Sequence, residues 1–271
     1  MNHQRRTIAF LAVAGLVVPL GATVAPASGS DASRTSTIAA SAVTATTMDA
    51  DTIAARKRKC RKGKVALTFD DGPQPSDTRK LLNVLRRKHV RATFFVQGYR
   101  ARAYPKLVRR IKRAGHRVGN HTWNHPDLTK LSKGQIRSQI VRANRAITQA
   151  GAPRPTLMRP PYGATDNQVD AVVRRLHMHE VLWSVDTQNW SGISVDAIVR
   201  RALAAIHRGD NIILMHDGVS TSNRTVKAVP RVIRGIRKRG YCVAPLTRRG
   251  EPRKPYHRIK RKHWSTKGSA R

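Results

Sequence analysis

The sequence predicts an α/β fold: a single-domain barrel of about seven strand–helix units, one short of the regular eight. Two observations lead there. About seven short apolar runs alternate with amphipathic segments, and the runs are continuously hydrophobic, the pattern of parallel strands covered by helices. The chemistry-bearing residues Asp70, Asp71, His121, Arg159, Asp186 and His216 each stand at the C-terminal end of such a run. In a barrel those ends meet at one mouth. An open doubly wound sheet is the competing architecture.

Element by element, "VALTF" (65–69) is a buried strand, and a helix over 77–88 carries Leu81, Leu82 and Leu85 on one face. "ATFFV" (92–96) is the second strand. A helix over 104–114 presents Leu107, Val108 and Ile111, and Gly115 stops it. "HRVGN" (116–120) precedes a helix over 134–150 striped by Ile136, Ile140, Ala143 and Ile147. Then follow "TLMRP" (156–160), a helix over 167–176, the strand "EVLWSVD" (180–186), and a helix over 195–207 opened by Ser194. "NIILMH" (211–216), a helix over 224–238 and "YCVAPL" (241–246) close the domain.

The flanks have other compositions. Arg5 and Arg6 precede an apolar run from Ile8 to Val24, broken by Gly15, Pro19 and Gly21, and then Ala25-Pro26-Ala27. This is the form of a secretory signal peptide over 1–27 rather than a stable membrane anchor. Residues 28–63 read as a linker, rich in Ser, Thr and Ala and then basic, and 64–246 as the folded domain. A basic tail, 247–271, follows. The formal charge is +38, and 65–246 alone hold 33 bases against 11 acids. Such a chain seeks polyanions, and the export signal favours an anionic cell-wall polymer over nucleic acid. The two cysteines, Cys60 and Cys242, bracket the domain, and in a secreted monomer they are expected to form a disulfide.

The domain holds one Glu and ten Asp, so each acid invites a role. "TFDDG" (68–72) could be an ordinary acidic turn or carry a phosphoacceptor aspartate. As a glycosidase pair, Asp70 and Asp71 stand too close, since such carboxylates are about 5 Å or more apart. In "HTWNHPD" (121–127) two histidines lie four apart; alone, they read as polar residues of a surface loop rather than as metal ligands. Taken together, Asp71, His121 and His125 make an N/O set of three with an open position, the form of a catalytic zinc site. Asp70 then remains free as a base and His216 as an acid, an arrangement suited to hydrolysis of an ester or amide.

These segments resemble the motif set of the polysaccharide deacetylases, carbohydrate esterase family 4, also called NodB-homology domains. The likeness spans about 64–246. "TFDDGP" resembles the first motif, "HTWNHPDL" the second, "RPPYG" (159–163) the third, "DTQNW" (186–190) the fourth and "LMHD" (214–217) the fifth. The resemblance implies an irregular (β/α)7 barrel with Asp70 as catalytic base and Asp71, His121 and His125 as metal ligands. It implies that Arg159 holds Asp70 ionised and that His216 protonates the leaving amine. The backbone N–H near Tyr162 would stabilise the oxyanion, and Trp190 and Leu214 would wall a slot for the acetyl methyl. The fourth motif normally ends Asp-Trp. Here Asn189 precedes Trp190, removing a charge that would support Arg159 or His216, and Asp186 is a candidate to compensate. The expected activity is N-deacetylation of acetylated amino-sugar polysaccharide with Zn²⁺, or else Co²⁺ or Mn²⁺. An acetylxylan esterase, or an envelope-binding protein on a weakly active scaffold, is the alternative.

Overall fold

The computed structural model describes residues 60–252. The signal-peptide stretch, most of the linker and all but the first residues of the basic tail lie outside that range. Eight parallel strands form one curled sheet: β1 (Lys64–Asp70), β2 (Thr93–Val96), β3 (Arg117–Asn120), β4 (Leu157–Met158), β5 (His179–Glu180), β6 (Val185–Asp186), β7 (Asn211–His216) and β8 (Cys242–Val243). Their order is β5-β4-β3-β2-β1-β7-β6, and β8 joins the start of β1. The helices are α1 (Pro75–Arg87), α2 (Gly98–Ala103), α3 (Pro105–Arg113), α4 (Lys133–Gln149), α5 (Asn167–Arg175), α6 (Val195–Ala204) and α7 (Ser222–Lys238).

The period of two along β1 builds the protein's two interiors. Val65, Leu67 and Phe69 face the helices and join the main core with Phe94, Val96, Val229 and Ile233. Ala66 points the other way, into the barrel, where it meets Phe95, Leu157, Val181 and Leu246. Thr68 and Asp70 continue that inner row, so the interior turns from apolar to polar toward the strand ends.

Most expected elements form within a few residues of their sequence bounds, with three differences. The run 180–186 is not one strand. It splits into β5 and β6, because the carbonyls of Val181 and Leu182 accept from Arg159 Nε and Nη2, at 3.0 and 3.1 Å, instead of pairing with a neighbouring strand. A buried guanidinium therefore fills the place where the sheet is interrupted. Second, α2 has no counterpart in the sequence reading; it is one and a half turns long and too short for a periodic signature. Third, only Cys242–Val243 of "YCVAPL" pair as a strand, and the chain continues to a bridge between Leu246 and Pro252. Cys60 and Cys242 are bonded, with 5.3 Å between their Cα atoms, tying the start of the described chain to β8.

Candidate active site

The register of β1 sets the first pair of groups. Asp70 lies opposite His216 on β7, so a carboxylate and an imidazole enter the mouth from adjacent strands. Asp71 then leaves the sheet with φ 71°, a left-handed conformation that an L-residue adopts at a cost of about 1–2 kcal/mol. His125 (φ 66°), Thr122 (φ 62°) and Tyr162 (φ 61°) do the same. Strain of this kind survives where surrounding contacts over-determine it. Two glycines make the crowding possible. A Cβ on Gly72 would stand 2.3 Å from an Asp217 carboxylate oxygen, and one on Gly218 would stand 2.3 Å from the Asp71 backbone carbonyl.

Asp71 Oδ1 lies 3.4 Å from His121 Nε2 and 3.3 Å from His125 Nε2. Donors at bond lengths near 2.1 Å around a tetrahedral ion are separated by about 3.4 Å, so this set of three fits a divalent metal. His121 Nδ1 lies 2.7 Å from the Arg159 carbonyl and donates to it, which in the neutral ring leaves the Nε2 lone pair turned to the cluster. Gln97 Nε2 donates to Asp71 Oδ1 at 2.6 Å and fixes that carboxylate. Burial acts against charge on Asp71, but the imidazoles of His121 and His125 outweigh it and hold the carboxyl far below its ordinary range. Burial likewise pushes His121 down, yet Asp70 and Asp71 together leave it raised.

Arg159 is fully buried. Its Nη1 donates to Asp70 Oδ1 at 2.9 Å and to Thr68 Oγ1 at 2.8 Å, and the guanidinium stacks 4.2 Å over the Phe95 ring. Only Oδ2 of Asp70 is left to the mouth, 3.9 Å from His121 Nε2. His216 Nδ1 lies 2.8 Å from Asn189 Oδ1 and donates to it. Asn189 also gives its amide to Thr225 Oγ1 at 2.6 Å. This corrects the expectation that Asn189 could serve either Arg159 or His216: Arg159 is fully engaged elsewhere, and Asn189 is bound to the histidine. Burial lowers the His216 pKa, while Asp70 and Asp71 pull it back up. Asp186 opposes the lowering more weakly, and its carboxylate accepts from the Gln188 N–H at 2.8 Å.

These groups share a cavity of about 400 Å³ with Tyr162, Trp183, Trp190 and Leu214. Leu214 is buried, whereas Trp190 and Tyr162 are exposed, at 54% and 71%, so both are rim rather than core. A second lobe of about 390 Å³ opens on the other side of Asp71 and His125, lined by Gln97, Tyr99, Arg100 and Asn124. All the residues singled out by sequence thus line or touch one mouth, the two cysteines apart. Gln97, Trp183 and Asp217 were not singled out. Asp217 is buried, accepts from Thr78 Oγ1 at 2.5 Å, and is pushed up to about 7 by burial and by Asp71 and Asp70. Its neighbour in "MHD" was the only available signal.

A parallel barrel with an Asp-His-His set, a buried arginine–aspartate pair and an opposed histidine defines a hydrolase of the deacetylase kind. The chain belongs to the polysaccharide deacetylase family: the family model matches residues 57–181. It is 40% identical over 194 residues to a chitooligosaccharide deacetylase of Sinorhizobium fredii, covering 67% of this chain and 89% of that one. It is 38% identical to a peptidoglycan-N-acetylglucosamine deacetylase of Listeria monocytogenes, over 68% of this chain and 38% of that longer one. Among solved structures, a family 4 carbohydrate esterase from Streptomyces lividans, in complex with acetate, superposes with a TM-score of 0.66 at 39% identity, covering 72% of this chain and 98% of that one.

Proposed function

We propose that this protein is a secreted, metal-dependent N-deacetylase acting on N-acetylglucosamine units of peptidoglycan or chitin-type chains. The observation that carries this reading is the cluster itself: Asp71 Oδ1 within 3.4 Å of two imidazole nitrogens, beside a carboxylate held by a buried arginine. Asp71, His121 and His125 would hold the ion, with Zn²⁺ as first choice and Co²⁺ or Mn²⁺ compatible with the same donors. When bound, such an ion supplies Lewis acidity that polarises a carbonyl and acidifies water.

The chain's own groups divide the remaining work. Arg159 occupies Asp70 Oδ1, so Oδ2 takes the proton of the attacking water as its oxygen adds to the acetamide carbon. The backbone N–H near Tyr162 stabilises the negative oxygen that develops. The C–N bond then breaks as His216 Nε2 delivers a proton to nitrogen, leaving acetate and a free amine. Asn189 fixes the tautomer by occupying Nδ1. Leu214 and Trp190 wall the methyl slot, and Trp183 adds to the same apolar side.

Secretion follows from the leader pattern at 1–27, in keeping with the Cys60–Cys242 bond. The expected state is a monomer, held near anionic wall polymer by its basic flanks. Acetate release from chitooligosaccharides, peptidoglycan and acetylxylan tests the reading. Release from the first two should vanish on chelation and return with divalent ion, and His121→Ala or His125→Ala should lower both metal affinity and rate. Full turnover after chelation, or release from acetylxylan alone, would reject it.

A further inference from the structure

The charge of the described domain is not spread evenly over its helices. α1, α3 and α7 pack side by side over the main core. Arg110 of α3 donates to Asn83 of α1 at 3.1 Å, and Arg237 of α7 donates to the Lys88 carbonyl just beyond α1 at 2.8 Å. Their outward faces carry thirteen exposed cations. Those on α1 are Arg79, Lys80, Arg86 and Arg87, and α7 shows five in its 17 residues, Arg234 and Lys238 among them. The one acid within the three helices, Asp77, is buried. Among the described residues the face has a single ion pair, from Arg231 across to Asp196 of α6. Positions four and seven apart share one side of a helix, so these cations form continuous rows rather than scattered points.

We infer that the α1–α3–α7 face is a docking surface for a linear phosphodiester polymer of the cell envelope. The face flanks the barrel, while the candidate active site opens at the strand ends, so a polymer lying on it leaves the mouth free. Charge complementarity names a polyanion. The scarcity of aromatics argues against a nucleic acid: among the described residues, the large exposed apolar side chains are Tyr99, Tyr104, Tyr162, Leu182 and Trp190, and of these only Tyr104, at the N-cap of α3, adjoins these helices. Single-stranded nucleic acid sites combine basic grooves with such stacking platforms. A phosphate chain without bases needs only the cations. The envelope as source rests on the function proposed above, whereas the polyanion face itself does not.

The test uses the full mature chain with four exposed cations of this face replaced together: Arg79→Gln, Arg86→Gln, Arg234→Gln and Lys238→Gln. A control removes the same charge from α4 and α5, by Lys133→Gln, Arg137→Gln, Arg145→Gln and Arg175→Gln. Binding to inorganic polyphosphate, and to isolated walls with or without their phosphodiester polymer, is measured across a salt series. Each lost phosphate contact removes about 0.7 from the slope of log K against log salt, so the face variant should lose about 3 in slope and the control less than about 1. Stripped walls should retain the wild type no better than the face variant. Acetate release from a neutral chitooligosaccharide should be equal in all three proteins, which separates failure of this inference from failure of the proposed activity. Equal loss of slope in both variants, or equal retention on stripped and intact walls, would overturn the proposal. Tighter binding to single-stranded DNA than to polyphosphate of matched length would overturn it in favour of a nucleic acid.

Discussion

Asn189→Asp puts a carboxylate where an amide oxygen now accepts from His216 Nδ1 at 2.8 Å. Two unit charges about 4 Å apart at an effective dielectric near 20 attract by roughly 4 kcal/mol. Asn189 is fully buried, so desolvation of the new carboxylate cancels a good part of that. The net expectation is a rise of about 1–2 units in the His216 pKa, the size usual for a close opposite charge. The site can accept the change, because the Thr225 hydroxyl that now takes the amide proton can turn and donate instead. As an acid, His216 must be protonated, so activity falls as pH rises through its pKa. The alkaline limb of kcat/KM on a neutral chitooligosaccharide should therefore move up by about 1–2 pH units. For stability the sign is set by the wild-type lowering: a histidine depressed by burial loses stability as pH falls through its unfolded pKa, and raising it toward the ordinary value relieves that loss. The variant's melting temperature should accordingly fall less than wild type between neutral and mildly acidic pH. A rate profile unchanged in both height and position would show that this contact does not govern the acid.

Three further outcomes follow from the fold. Arg159→Met leaves Asp70 buried without its cation and the Val181 and Leu182 carbonyls without donors, so thermal unfolding should show a loss of roughly 3–5 kcal/mol. Replacing Cys60 and Cys242 by Ser opens a loop of 182 residues and should cost roughly 2–4 kcal/mol in denaturant titration, while the active-site geometry and turnover at low temperature persist. Ending the chain after Pro252 should release protein from isolated walls at lower salt than the full chain, because cation–anion contacts are screened over about 10 Å at 0.1 M. Ending it at Thr247 would also remove Gly250, which packs on Val181, and so would confuse retention with stability.

Much of this architecture was legible in the sequence because burial is periodic. The apolar run "VALTF" forecasts a buried strand with Asp70 at its end, and strand ends in a barrel converge whatever the loops do; the division of β1 into a core face and an inner row belongs to the structure. What was not legible depends on contacts between distant segments. The break at 181–184 arises from a side chain on β4's extension, so "EVLWSVD" carries no local sign of it. The choice of His216 over Arg159 as the partner of Asn189 is a matter of angstroms across β6 and β7. Gln97 looks like the end of an apolar strand, and its bond to Asp71 appears only when β2 lies beside β1. Trp183 lies inside the run 180–186, and its place in the lining of the mouth follows from the break in that run.

The central claim is that the neighbours Asp70 and Asp71 do different work. One carboxylate lies 2.9 Å from Arg159, and the other lies within 3.4 Å of two imidazoles. Metal content and acetate release, measured side by side on Asp70→Asn and Asp71→Asn, address it directly. Asp70→Asn should bind divalent metal with wild-type stoichiometry and affinity yet lose about 10²–10⁴ in kcat, as expected when a general base is removed. Asp71→Asn should lose metal affinity first, with part of its rate recovered at high metal concentration. Equal metal loss in both variants, or near-normal turnover by metal-loaded Asp70→Asn, would contradict the division of labour on which the mechanism stands.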